Sequence, residues 1–174
     1  MAEIGCGPGQ IGAFVRSWGR RVVGVDLSPQ MARRAQVRLD GACVADMRSL
    51  PFASDAVGGV LAFYAVIHLR RAELGAALRE FSRVLRPGGH VLFSAHEGTD
   101  DVELDEFLQE PVPFAATLFE LDELVAATTA AGLEVTLAQR RAPYETEGKT
   151  VRLYVGARKP DTGGGGPIAT TPRG

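Results

Sequence analysis

The chain has 174 residues, 19 basic against 21 acidic side chains, a formal net charge of −2 and a sequence pI near 5.9. That length fits one compact domain and is short for two, and the near-neutral balance offers no general attraction to nucleic acid or an anionic membrane. The longest apolar stretch, residues 57–69, is interrupted by Gly58, Gly59, Tyr64 and His68 and is too short to span a bilayer; with no charged-then-apolar leader ahead of the domain, a soluble cytoplasmic protein is expected.

The chain opens on Glu3-Ile4-Gly5-Cys6-Gly7-Pro8-Gly9, an acid followed by three alternate glycines. Gly5, Gly7 and Gly9 permit a tight turn with positive φ and let a ligand approach bare backbone. In Gln10 to Trp18, Ile11, Phe14, Val15 and Trp18 fall at spacings of three, four and seven. This predicts an amphipathic helix whose first N–H groups point back at the turn. Arg21 to Leu27 reads as a short buried strand ending in Asp26, 21 positions after Gly5, a distance at which an acid reaches both hydroxyls of a ribose. Ser28 and Pro29 then serve as N-cap and first-turn proline of a second helix carrying Met31, Ala35 and Leu39.

Ala42 to Asp46 predicts a third strand and Val57 to Phe63 a fourth, apolar enough to be covered on both faces of a parallel sheet. A helix from about Ala72 to Leu85 carries Leu74, Leu78, Phe81 and Leu85 on one stripe, stopped by Arg86-Pro87-Gly88-Gly89, and His90 to Ser94 forms the fifth strand. A further helix runs from about Leu121 to Ala131 and closes at Gly132, before strands at Leu133 to Gln139 and Val151 to Ala157. No helix fits between those last two strands, so they are expected to pair antiparallel. The fold class is α/β, a Rossmann-like, mostly parallel sheet with helices on both faces and one antiparallel strand near the C-terminus. The tail from Pro160 to Gly174, with Gly163 through Gly166, is expected to be disordered. Cys6 and Cys43 have no metal-ligand spacing and read as small side chains in tight places.

In this order the landmarks resemble the class I S-adenosylmethionine-dependent methyltransferases, over Glu3 to about Lys159. The resemblance implies a methyltransferase domain over residues 1–159, S-adenosylmethionine as cofactor, a small-molecule methyl acceptor and no metal. It assigns cofactor binding to Glu3, Gly5, Cys6, Gly7 and Gly9 of the first motif and to Asp26, Leu27 and Met31 on the ribose side. Ala45, Asp46 and Met47 fall at the adenine, and Phe63, Tyr64 and His68 follow the fourth strand. Gly7, Gly9, Gly12 and Asp26 would also satisfy the fingerprint of an NAD-dependent oxidoreductase. Glu3 argues against that rival, since an acid before the turn would face a pyrophosphate.

In this family's reaction the methyl group is already activated by the sulfonium, so no metal is required and a base serves only an acceptor that must lose a proton. No catalytic residue is assigned. The candidates on the ligand side are His68, His96 and Glu97, whereas His90 opens its strand at the opposite end. Seven acids, Glu97, Asp100, Asp101, Glu103, Asp105, Glu106 and Glu110, fall where a cationic acceptor could be favoured, or form a solvated loop. Ala62-Phe63-Tyr64-Ala65 is not the Asn/Asp-Pro-Pro-Tyr of enzymes resembling the DNA and glutamine amino methyltransferases, and with no basic surface neither nucleic acid nor membrane is expected as partner. Only Met1 and Ala2 precede Glu3, so the first strand is expected to be short and the family's N-terminal lid helices absent, with a cofactor-binding remnant as the alternative reading.

Overall fold

The structure, a computed structural model, describes residues 1–104 and 114–161. Its elements in chain order are β1 (Ala2–Ile4), α1 (Gln10–Arg16), β2 (Val23–Asp26), α2 (Pro29–Ala35), β3 (Ala42–Val44), β4 (Val57–Phe63), α3 (Leu74–Val84), β5 (Leu85–His96), β6 (Asp101–Leu104), β7 (Phe114–Thr117), α4 (Leu121–Ala130), β8 (Glu134–Arg141) and β9 (Arg152–Arg158). Seven strands make one sheet in the order β3-β2-β1-β4-β5-β9-β8. β1 is parallel to both β2 and β4, and β9 alone is reversed, pairing antiparallel with β5 and β8. The connection from β1 leads to one side of the sheet and the return to β4 to the other. This divergence opens a crevice beyond the carboxyl ends of these strands, where ligands of open α/β sheets bind.

The core lies mainly on one face of the sheet. Register places Val60 and Ala62 beside Val91 and Phe93, and these beside Ala157 and Val155, all at most 2% exposed. α3 buries Leu74, Ala77, Leu78, Phe81 and Val84 on the stripe that its three- and four-residue spacing foretells. α4 buries Leu121, Leu124 and Thr128, whose hydroxyl satisfies itself by donating to the Leu124 carbonyl at 2.7 Å.

Several expectations need correction. α1 ends at Arg16, and its apolar stripe faces the core only at Val15, half-buried against Cys6, Val22, Ala35 and Leu39, whereas Ile11, Phe14 and Trp18 are 37, 60 and 66% exposed. Gly12, on the opposite side, is the helix's buried residue, because the glycine lets the helix close to within van der Waals distance of Glu3, Leu39 and Val22. Leu39 lies past the end of α2, which stops at Ala35. α3 stops at Val84, and Arg86 to Gly89 fall within the span of β5 with Gly88 turned to φ +71°, where the pairing to β4 is irregular between Val57 and Gly59. The β6-β7 pair was not expected: Asp101 to Leu104 does alternate, but over four residues only, inside an acidic stretch that reads as a loop, and Phe114 to Thr117 does not alternate. Asp105, Glu106 and Glu110 lie outside the described residues, as does the predicted tail beyond Asp161, whose carboxylate pairs with Arg158.

Candidate functional site

A cavity of about 790 Å³ sits in the crevice and is lined by Ile4, Gly5, Gly7, Pro8, Asp26, Leu27, Ser28, Met31, Ala45, Asp46, Met47, Arg48, Tyr64, Ala65, His68, Leu69 and Glu73. The glycine turn forms its floor. Gly5 takes φ +63°, and a Cβ there would come within 2.4 Å of Ala65 Cβ, whereas a Cβ on Gly7 at φ +51° would meet nothing within 4 Å. The first glycine therefore serves packing between two ligand loops and the second leaves room beside a ligand.

Asp26, at the carboxyl end of β2, accepts from Gly7 N–H at 2.7 Å through Oδ2 and from Ser28 N–H at 2.8 Å through Oδ1. Each carboxylate oxygen keeps a further lone pair, so the acid can brace the glycine turn and still receive two ligand hydroxyls. Ser28 caps α2 by accepting from Met31 N–H, which fixes the chain on the far side of Asp26. Asp46 is held differently. Arg48 donates to it from Nε at 2.9 Å and from its backbone N–H at 2.8 Å, and the same guanidinium reaches Glu73. These hydrogen bonds hold both carboxyls below their usual range, Glu73 down to about 2, where Arg70 supplies the largest share. Arg48 and Glu73 carried no signal in the first motif or its neighbours, since they meet only when the loop after β3 folds against the turn before α3.

Gly5, Gly7, Asp26, Leu27, Met31, Ala45, Asp46, Met47, Tyr64 and His68 are thus brought together as expected. Glu3, Cys6, Gly9 and Phe63 do not line the cavity. Gly9 caps α1 at φ +80°, and Phe63 packs its ring against Tyr154 at 6.4 Å. Cys6 is buried, and burial, with Asp26 and Glu3 nearby, pushes its thiol up to about 12, which leaves it inert. Glu3 turns away from the cavity: 4% exposed, it accepts from Gly12 N–H at 3.0 Å, inside α1. Its role is to hold that helix, where an acid on the strand reaches the first-turn amides.

Burial raises the Glu3 carboxyl to about 7 against the lowering effect of the Gly12 hydrogen bond. The folded state therefore keeps a proton that the unfolded chain releases near pH 4.5. The stabilising contribution is complete below that pH and is lost as pH rises through about 7, by at most about 3 kcal/mol. Glu3→Gln keeps an acceptor for Gly12 and removes the titration. Its melting temperature should exceed that of the parent at pH 8 and match it at pH 5; parallel pH profiles for the two proteins would refute the assignment.

Beyond the cavity, Tyr64 leads toward a second cluster. It takes φ +51°, a strained conformation for a side chain of its size, with its N–H held by Ser94 Oγ at 3.0 Å. Its ring stacks on His96 with centroids 4.8 Å apart, and its hydroxyl is 3.3 Å from that of Tyr154. His96 Nδ1 lies 3.0 Å from Thr150 Oγ1, and burial, then the charge of Arg152, lowers its pKa, so the imidazole is neutral at pH 7. Because β9 is reversed, its first residue Arg152 and the last residue of β8, Arg141, sit at the same end as His96. Arg141 grips Glu147 with two hydrogen bonds of 2.9 Å and reaches the Tyr154 hydroxyl at 3.2 Å. Arg152 is 6% exposed, donates to the Gly148 carbonyl at 2.6 Å and has Nε 3.6 Å from Glu147, without a hydrogen bond of its own. Glu97 takes no part, since Arg140 Nε holds its carboxylate at 2.5 Å. His68 lies on the cavity side, exposed on a single 3-10 turn.

Among the described residues no group of His, Cys, Asp and Glu could hold a metal ion, and no helix is long and apolar enough to cross a membrane. The family profile described as "Methyltransferase domain" matches residues 2–93. The chain is 38% identical over 114 residues to the malonyl-[acyl-carrier protein] O-methyltransferase of Yersinia pestis, covering 63% of this chain and 41% of that one. It is 34% identical over 147 residues to the protein of the same name from Pseudescherichia vulneris, covering 79% and 58%. It therefore spans about half the length of the curated relatives it matches. Its fold is that of an S-adenosylmethionine-dependent methyltransferase from Methanosarcina mazei, with TM-score 0.80 at 19% identity over 92% of both chains. A Mesorhizobium loti methyltransferase of the same dependence superposes with TM-score 0.72 at 18% identity, covering 90% of this chain and 89% of that one.

Proposed function

The chain belongs to the methyltransferase-domain family of S-adenosylmethionine-dependent proteins, and from that premise we propose that it methylates a small-molecule acceptor carrying a carboxylate. The cavity is the size of a nucleoside cofactor site and offers acceptors rather than a phosphate cradle, with Asp26 for the ribose hydroxyls and Asp46 for an exocyclic amino group. Asp46, as an acceptor for the adenine amino group, favours this reading over the oxidoreductase, whereas Glu3, turned under α1, would not face a pyrophosphate and does not separate the two. When bound, the cofactor supplies a methyl group already activated by its sulfonium.

The observation that carries the acceptor class is the pairing of two guanidiniums, Arg141 and Arg152, with the single carboxylate of Glu147 beside the Tyr64 and Tyr154 hydroxyls. One positive charge is left in excess at the mouth next to the cavity, suited to orient an anion. A carboxylate acceptor is already deprotonated at neutral pH. Its oxygen can take the methyl group with no proton to remove, so no general base is required, which agrees with Glu97 being occupied by Arg140. The relatives named for O-methylation of a malonyl group support the same class. The acidic stretch from Glu97 could favour a cationic acceptor or form a solvated loop; Glu97 pairs with Arg140, and Asp100 and Asp101 stand exposed.

The test is transfer of label from S-adenosylmethionine to a panel of malonyl thioesters, simple carboxylates and amines. Carboxylates should be methylated, and Arg141→Gln should raise their KM about tenfold, the scale of one charged hydrogen bond, with a smaller change in kcat. Transfer to amines alone, or an Arg141→Gln KM equal to the parent's, would overturn the acceptor class.

A further inference from the structure

Arg141 has no donor to spare. Nε donates to the Tyr154 hydroxyl at 3.4 Å, Nη2 to the same hydroxyl at 3.2 Å and to Glu147 Oε1 at 2.9 Å, and Nη1 to the Ala142 carbonyl at 3.0 Å and to Glu147 Oε2 at 2.9 Å. These five bonds are all that a guanidinium can make. A carboxylate is bound most firmly across a parallel pair of N–H groups, and on Arg141 the Nη1 and Nη2 pair is held by Glu147. An incoming carboxylate finds that fork open only if Glu147 gives it up.

Glu147 fits this place incompletely. Arg152 Nη1 is used by the Gly148 and Thr150 carbonyls, while the buried Nε has no hydrogen-bond partner and lies 3.6 Å from Glu147 Oε2. Leaving a buried charged donor unmade is costly. Glu147 is not free to close the gap, because its backbone N–H donates to the Tyr144 carbonyl at 2.9 Å and Oε2 also accepts from Tyr144 N–H at 2.8 Å. A carboxylate that is not fastened to this loop can lie across both guanidiniums. The loop joins β8 to β9, and Glu145, Thr146, Gly148 and Lys149 around Glu147 are exposed. The Glu147 side chain is itself 27% exposed, so it can rotate into water without opening the core. Arg141 would keep its place, since the Tyr144 ring centroid lies 4.2 Å from its guanidinium carbon and the Tyr154 hydroxyl holds its other edge.

We propose that Glu147 is the protein's internal competitor for its acceptor: its carboxylate occupies the place of the acceptor's and rotates away before an acceptor engages Arg141 and Arg152. This rests on the carboxylate-acceptor reading above. A tethered competitor acts at an effective concentration of roughly millimolar or more. Every carboxylate acceptor is therefore weakened by the same factor, and one held by its carboxylate alone is kept below useful occupancy.

The test compares the parent with Glu147→Gln, which keeps the size of the side chain and sheds the charge that holds Arg141. With labelled S-adenosylmethionine, KM for acetate and for a malonyl thioester should both fall, by about tenfold and by the same factor. Separately, acetate at an ionic strength matched with sodium chloride should raise the melting temperature of Glu147→Gln by about 3 °C or more and leave that of the parent unchanged, because only the variant has an open fork. Glu147→Asp keeps the charge balance of the cluster and draws the carboxylate back by one methylene. It should show both changes at smaller size, and it decides the outcome if Glu147→Gln does not fold. Carboxylate KM values that stay the same or rise without Glu147 would mean that it orients Arg141 rather than competes for it, and would overturn the proposal. If neither protein methylates a carboxylate, the acceptor reading fails by itself. The melting arm then decides alone, and an equal response of parent and variant to acetate would overturn the internal competitor.

Discussion

Asp26→Ala should weaken binding of S-adenosylmethionine by about 2–3 kcal/mol, roughly 30- to 150-fold, measured by calorimetry. Two losses combine. The ligand hydroxyls lose a charged acceptor in a partly enclosed site, and Gly7 N–H and Ser28 N–H lose the oxygens that hold the glycine turn against α2. Asp26→Asn separates them, since the amide keeps one acceptor oxygen and sheds the charge, so it should fall between parent and Ala. Equal affinity for all three proteins would remove Asp26 from the cofactor site. Tighter binding of NAD than of S-adenosylmethionine by the parent would remove the cofactor assignment altogether.

Gly5→Ala should be the most damaging single methyl group in the molecule. At φ +63° an L-residue carries a backbone penalty of about 1–2 kcal/mol. The added Cβ, 2.4 Å from Ala65 Cβ and 3.3 Å from Ala65 Cα, would also have to push the loop after β4 away from the glycine turn. A total cost above about 3 kcal/mol is expected, together with loss of cofactor binding, because Ala65 and its neighbour Tyr64 line the same cavity. Gly7→Ala is the internal control: its φ of +51° brings the same strain, but the added Cβ meets open space. It should lose about 1 kcal/mol of stability by chemical denaturation. If both variants unfold at the same denaturant concentration, the contact between the two loops is not what requires Gly5.

The cavity wall was legible where chain-local chemistry dictates it. Gly5 and Gly7 announce a turn through the positive φ that only glycine tolerates freely, and Asp26 and Asp46 are acids at the ends of apolar runs. Side-chain direction was not legible. Glu3 and Cys6 belong to the same motif as Gly5 and Gly7, yet alternation along β1 sends Glu3 under α1, and the turn at Gly5, with φ +63°, leaves Cys6 buried with Val22, Ala35 and Leu39 off the cavity. Arg48 with Glu73 and Arg141 with Glu147 were invisible for a related reason: each pair couples a loop to a partner placed by the fold, and charge pairs at irregular separation leave no periodic trace.

By itself the sequence determined the order of the strands and helices of the main sheet, its parallel core and the glycine turn at the carboxyl end of β1, because these follow from hydrophobic period and from the backbone freedom of glycine. Only the tertiary structure decided which side of α1 is buried. A stripe of Ile11, Phe14 and Trp18 predicts an inward face, but helix packing is set by what can approach the sheet, and Gly12, with no side chain, approaches closest. It likewise decided where two guanidiniums lie, since reversal of β9 carries Arg152 and Arg141 to the end of the sheet that holds Tyr64 and His96. Strand direction is fixed by long-range pairing, so no local pattern in the sequence could have placed those charges beside Tyr64 and His96.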